Sequence, residues 1–294
     1  MGILGGLEKF GIKADEKIDL YEDPKKAAAQ PAEGAAGTAA PVKKSESEFV
    51  LDKTLRCPVC DKVFKTLQPK SGRVKRLESD RDLRPRCEGI DIMKYNVNCC
   101  PSCGYTALSS SKYFETINVN QKKLVQEKIC KSFDPKSVAD AYKPEVREWD
   151  YDTAIALHQL SLYNAVVKGA KTSEKAYNCL VLAWLFRGKA ESLANDPEVK
   201  DEVAQCKAQE AEYYKEAYEG LNKAVATENF PMAGMDQSTV DYLLATMAFQ
   251  MGDNSAATRN LSRIITSPAT NSKIKEKARD LKDEIIASIQ NAKQ

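Results

Sequence analysis

The sequence predicts an α+β chain that is mostly α, and three observations carry that reading. Two cysteine pairs, Cys57-Pro58-Val59-Cys60 and Cys100-Pro101-Ser102-Cys103, sit in a stretch punctuated by Pro69, Gly72, Pro85 and Gly89. Beyond residue 119, apolar residues recur at helical spacing to the end of the chain. Ahead of both, 13 of the 18 residues from Pro24 to Pro41 are Ala, Pro or Gly, too small to offset backbone ordering by burial. The expected order is a short N-terminal motif (1–22), a disordered linker (23–48), a small zinc-ribbon-like β domain (49–118) and a TPR-like antiparallel helical repeat domain (119–294).

At the N-terminus, Leu4, Leu7, Phe10, Ile12 and Leu20 form a small apolar set interrupted by Gly5, Gly6 and Gly11. Its plainer reading is a frayed end and its sharper one a docking motif; the plainer is preferred. In the β domain, Tyr95, Val97 and Cys99 alternate with Lys94, Asn96 and Asn98, the period of a half-buried strand.

Helix signals then take over. Asp134-Pro135 and Asp196-Pro197 each offer a capping carboxylate before a first-turn proline. Tyr177, Leu180, Val181, Trp184 and Gly188 make one apolar stripe, and Tyr214, Tyr218, Leu221 and Val225 the next. Ser238 and Asp241 resemble a capping box ahead of Leu243, Leu244, Met247 and Ala248. Gly252-Asp253-Asn254 is a break, Pro268 a stop, and Ile274, Ala278, Leu281 and Ile285 mark a last helix. In 238–271, Leu244, Ala245, Gly252 and Ala257 follow a tetratricopeptide-like order of large, small, turn glycine and small, and Trp184 and Gly188 suggest a related unit over 174–228.

The chain has 294 residues, 44 basic and 42 acidic, a net charge of +2 that excludes a polybasic or acidic-tail protein. Its longest apolar run, Leu180 to Phe186, is far short of the roughly 20 residues a membrane helix needs. No secretory leader is read in the first residues, so the expected location is cytoplasmic, without a membrane partner. Nine cysteines, an odd number, fit metal binding in a reducing compartment better than a disulfide framework.

The strongest chemical signal is Cys57, Cys60, Cys100 and Cys103. Four thiolates at this spacing close a tetrahedral site, and the expected cofactor is one structural Zn(II). Gly104 supplies a left-handed residue after the second pair and Asp61 after the first. Cys100 is chosen over Cys99 because it alone repeats the C-P-x-C register. Cys87 is read as a small hydrophobe, with Cys87 and Cys99 held as the basis of a thiol redox alternative. Cys130, Cys179 and Cys206 are read as core fillers. His158, the single histidine, has no nucleophile or acid–base partner that the sequence identifies, and no catalytic constellation is found. Gly169-Ala170-Lys171-Thr172 lacks the frame of a phosphate loop and is read as a turn between helices.

Residues 51–103 hold 12 basic and 7 acidic side chains, a net of +5. Lys62, Lys65, Arg73, Lys75 and Arg76 are the candidate nucleic-acid contacts there, within a set that runs on through Arg81, Arg84 and Arg86. Glu78, Asp80 and Asp82 interleave with them, so a solvated hairpin is the plainer reading.

The pieces LDKTLRCPVCDKVFKT, EGIDIMKYNV and CCPSCGYTAL, with the basic–acidic patch from Arg76 to Asp82 between them, resemble the bacterial family called domain of unknown function 2225. GLEKFGIK and DLYED near the start look similar to members too, and the likeness continues more weakly through the helices to about Arg187. It implies a zinc-ribbon-like head joined to TPR-like helices, and it brings no activity. The sequence therefore predicts a non-enzymatic adaptor that presents its helices to a protein or peptide. A nucleic-acid-binding module is the alternative, and a thiol redox sensor the third reading.

Overall fold

A computed structural model describes residues 3, 6–12, 20–21, 45–194 and 196–291. The linker expectation for 23–44 lies outside them. Residues 45–48, also assigned to that linker, are ordered: Glu46–Phe49 forms a 3-10 turn capped by Ser45. Glu46 is fixed there by the Lys94 ammonium at 2.7 Å and the Tyr95 hydroxyl at 2.8 Å.

Two small antiparallel sheets follow. Strands β1 (Val50–Arg56) and β2 (Val63–Pro69) form a hairpin in which Leu55 faces Phe64 across the ladder. Strands β3 (Val97–Cys99) and β4 (Thr106–Leu108) pair around the second cysteine turn. The strand expected from the alternation over 94–99 is confined to Val97–Cys99, since Ile92–Tyr95 forms a 3-10 turn. All three strand residues are buried, with the helix Tyr151–Val167 packed against β3. Even Lys94 is buried, its ammonium donating to the Trp149 carbonyl at 2.7 Å. Between β2 and β3, residues 75–88 fold as an irregular hairpin, closed by Leu77 N–H to the Arg86 carbonyl and Asp80 N–H to the Arg84 carbonyl.

Seven helices complete the described chain. α1 (Val119–Val125) starts from a capping box, Asn118 with Gln121, and widens into a π-type turn over Gln126–Cys130. The helices α2 (Tyr151–Val167), α3 (Thr172–Leu193), α4 (Lys200–Thr227), α5 (Gln237–Gln250), α6 (Asn254–Thr266) and α7 (Ser272–Asn291) pack each on the next. Asp134 and Asp196 do cap, but each opens a single 3-10 turn, Pro135–Val138 and Pro197–Val199. The cap of α5 is Asp236, whose carboxylate accepts from Thr239 N–H at 2.8 Å; Asp241 instead lies buried against Arg263. Gly252 makes the predicted left-handed break and Asp253 caps α6. Gly169 likewise turns the chain between α2 and α3.

α3 departs most from its expected stripe. Residues Leu180 to Leu185 are all buried, because α2, α4 and the 75–88 hairpin enclose the helix from different sides. Gly188, expected at a turn, lies inside α3. A Cβ there would fall 2.6 Å from both the Arg84 guanidinium and the Tyr151 hydroxyl, so this glycine serves close approach.

One apolar core runs from the N-terminal segment through both sheets and α1–α5. Phe64, Tyr95, Tyr105, Phe114, Tyr142 and Trp149 give it an aromatic centre, with ring centroids 5.1–6.5 Å apart. A second cluster joins α5, α6 and α7 through Leu261, Ile264, Leu281 and Ile285. The N-terminal residues expected to fray are packed: Leu7, Phe10, Ile12 and Leu20 are each at most 3% exposed. Among the described residues no helix is long and apolar enough to cross a membrane.

Candidate metal centre

The two cysteine turns are built alike. In the first, Asp61 N–H returns to the Cys57 carbonyl and Cys57 N–H reaches the Lys62 carbonyl, both at 2.9 Å. In the second, Gly104 N–H returns to the Cys100 carbonyl and Cys100 N–H reaches the Tyr105 carbonyl, again at 2.9 Å. The left-handed residues fall where the sequence places them, Asp61 at φ 62° and Gly104 at φ 74°. At Gly104 the requirement is doubled, since a Cβ would stand 2.5 Å from the Phe133 ring.

These turns bring Cys57, Cys60, Cys100 and Cys103 together, all four sulfurs within 4.8 Å of one another. Cys57 Sγ lies 3.7 Å from Cys103 Sγ, and Cys60 Sγ 3.6 Å from Cys100 Sγ. A tetrahedron with metal–sulfur bonds of about 2.3 Å has sulfur–sulfur edges of about 3.8 Å, so the cage matches a four-thiolate metal site. Val59 N–H points at Cys57 Sγ from 3.4 Å, a donor that would stabilise negative sulfur. Hydrogen bonds from Cys103 and Cys57 hold Cys100 far below the ordinary thiol value, while the bond to Cys100 raises Cys57. Three of the sulfur residues are buried and Cys60 is half-buried, so the protein itself fills the surroundings of the cage.

Cys99 is not part of this set. It lies on β3, fully buried, and burial pushes its thiol up to about 12. Cys87 is half-buried on the 75–88 hairpin, and burial raises its thiol as well. Both shifts disfavour the thiolate that a redox sensor needs. Cys130 is the residue sequence reasoning missed. The π-type turn after α1 sets its thiol beside Cys103, and the hydrogen bond to Cys103 lowers it below the ordinary value. Nothing in its spacing signals this, because α1 brings it in through tertiary packing, with Gln126 reaching the Val59 carbonyl.

The basic residues of this region divide in two. Lys62, Lys65, Arg73 and Arg76 are exposed and pair with no carboxylate among the described residues, and Lys75 meets only the exposed Glu88. Arg84 and Arg86 instead belong to a charged seam that runs from the buried Arg84 and Asp82 out to the partly exposed Arg86 and Glu191. Arg84 binds Asp91 at 2.8 Å and Glu191 at 3.2 Å; Arg86 binds Asp80 and Glu191, each at 2.6 Å. At the seam's centre Asp82 is fully buried, accepting from Arg187 at 2.7 Å and from the Trp184 indole at 3.0 Å. Trp184 is thus a core residue with a fixed polar end.

His158 is buried in α2, where its Nδ1–H donates to the Ala154 carbonyl at 2.7 Å and Nε2 has no partner among the described residues. Burial lowers its pKa from 6.5 to about 4. The folded chain therefore resists a proton that the unfolded chain takes up, and stability falls as pH drops from about 6.5 towards 4, by up to about 3 kcal/mol. Denaturant titrations at pH 7 and 4.5 should show a loss that shrinks by most of this amount in His158→Gln; an unchanged loss would place the acid sensitivity elsewhere.

A family model described as an uncharacterized protein conserved in bacteria, domain of unknown function 2225, matches residues 50–285. The chain belongs to that family. The match takes in both cysteine turns, the 75–88 hairpin and the helices as far as Ile285, well past Arg187 where the visible likeness thins. It leaves out the N-terminal segment and residues up to Phe49. The chain matches no curated protein and no solved structure.

Proposed function

We propose that this member of the domain of unknown function 2225 family is a non-enzymatic adaptor, stapled by one structural Zn(II) and offering its helical pairs to a protein or peptide partner. The observation that carries the reading is the closed cage of four sulfurs set into the same core as the helices. Cys57, Cys60, Cys100 and Cys103 would hold the ion, and four thiolates satisfy its tetrahedral preference with no further ligand. The staple fixes the two turns to each other, and through Phe133 and Asn164, whose amide donates to the Gly104 carbonyl at 3.2 Å, to α2. The helices beyond supply the working surface, with α5 and α6 following the tetratricopeptide-like order of large, small, turn glycine and small. The cytoplasm, where thiols stay reduced, is the compartment this chemistry suits.

The test is the composition of the intact chain recovered from its own cells. One zinc per chain and a stoichiometric protein partner whose hydrogen-exchange footprint falls on α4–α7 are expected. Iron in place of zinc would overturn the cofactor, and a chain recovered with no protein partner would overturn the adaptor. Nucleic acid released by raised salt would instead favour the exposed set Lys62, Lys65, Arg73, Lys75 and Arg76.

A further inference from the structure

We infer that the groove across α2, α3 and α4 is a peptide-docking site, filled in this structure by the chain's own N-terminal segment acting as a detachable ligand. The inference deepens the adaptor reading, on which it rests, by naming the kind of peptide the helices take.

The segment is held as a peptide ligand is held, with side chains in pockets and backbone carbonyls as acceptors. Leu7, Phe10 and Ile12 enter the core at positions i, i+3 and i+5, and Leu20 follows. The body donates to the segment's main chain at three points. Tyr213 hydroxyl binds the Ile3 carbonyl, Asp134 N–H the Phe10 carbonyl at 3.0 Å, and Lys223 Nζ the Tyr21 carbonyl at 3.0 Å. Such contacts read an apolar pattern without requiring charge on the ligand.

Gly220 shows that the body is shaped for the occupant. It lies inside α4, where glycine weakens a helix, and the hydroxyl end of the Tyr21 ring fills the place of its missing side chain. The Tyr21 hydroxyl donates to the Glu216 carbonyl at 2.6 Å, and Lys175 and Lys223 lie over the ring. Gly220 falls within the residues the family model matches and Tyr21 outside them.

In sequence the segment joins the body through Pro24–Pro41, which contains no large apolar side chain. A tether of that length holds its ligand at a millimolar effective concentration, which favours the bound state over a dilute competitor. A partner carrying the same Leu, Phe, Ile and Tyr spacing would compete once present at high local concentration or once the tether is cut.

The experiment uses the full chain with a protease site placed between Ala29 and Glu33, nicked but otherwise intact, and a fluorescent peptide of residues 1–22 as probe. The peptide should exchange into the nicked chain and bind the intact chain at least about 100-fold more weakly. Gly220→Ala, a substitution that favours the helix, should weaken peptide binding to the nicked chain at least about 10-fold without lowering the melting temperature of the body once its segment is displaced. A cut segment that a hundredfold excess of peptide does not displace, or equal affinity in Gly220→Ala, would overturn the inference. Neither result depends on zinc content or a co-purifying protein, so its failure is separable from failure of the adaptor reading.

Discussion

Cys100→Ser will abolish metal binding and prevent the cysteine-rich part from folding. Structural zinc contributes on the order of 10–16 kcal/mol in small modules, about as much as the whole stability of a domain, typically about 5–15 kcal/mol. Cys100 Sγ lies 3.6 Å from Cys60 Sγ and is also hydrogen-bonded to Cys103 and Cys57. Because the cage shares its core with α2 and α3, the damage should reach the helices: the variant is expected to be insoluble, or to melt more than about 15 °C below the parent. Elemental analysis should fall from one metal per chain to none. The neighbouring Cys99→Ser, at the end of β3 and outside the sulfur cluster, should leave the metal content unchanged. Equal metal content in the Cys100 and Cys99 variants would dismantle the four-thiolate assignment.

Arg187→Leu is expected to cost about 3–5 kcal/mol, because it strands the buried Asp82 carboxylate. Arg187 also binds Glu210 at 2.7 Å and lies over the Tyr214 ring, and among the described residues no other cation forms an ion pair with Asp82. At about 2–4 °C per kcal/mol for a body of this size, the melting temperature should fall by about 6–20 °C. Arg81 provides the internal comparison. Its bond to Glu284 is as short, 2.7 Å, but both side chains are more than two-fifths exposed, and Arg81→Ala should change stability by less than about 1 kcal/mol. Similar losses in the two variants would mean that burial does not set the strength of these pairs.

The contrast between the two arginines marks what could be read in the sequence. The cysteine turns were legible to the level of backbone angles, since C-P-x-C followed by Gly104 or Asp61 is a local pattern with local consequences. The helices past Tyr151 were legible in their order for the same reason, as was the choice of Cys100 over Cys99. Contacts between distant segments were not. The charges from Asp80 to Arg86 look like a solvated hairpin until α3 supplies Arg187 and Glu191. Gly188 fits a turn by its phase, and only the approach of Arg84 and Tyr151 shows why it is a glycine. Cys130 and the N-terminal leucines have no local signature of what they touch.

The bond from Trp184 to Asp82 crosses 102 residues of chain, and that span sets a schedule. At about 5–20 residues per second, a ribosome needs roughly 5–20 s to travel from the carboxylate to the indole that satisfies it. The second sulfur turn, residues 100–103, is made early in that interval, so both turns precede the indole and Arg187 that satisfy Asp82. A nascent chain therefore passes through a stage in which all four cysteines of the proposed site are present before α4, the longest of the described helices, exists. Through that stage the Asp82 carboxylate, buried in the folded chain, still lacks its partners.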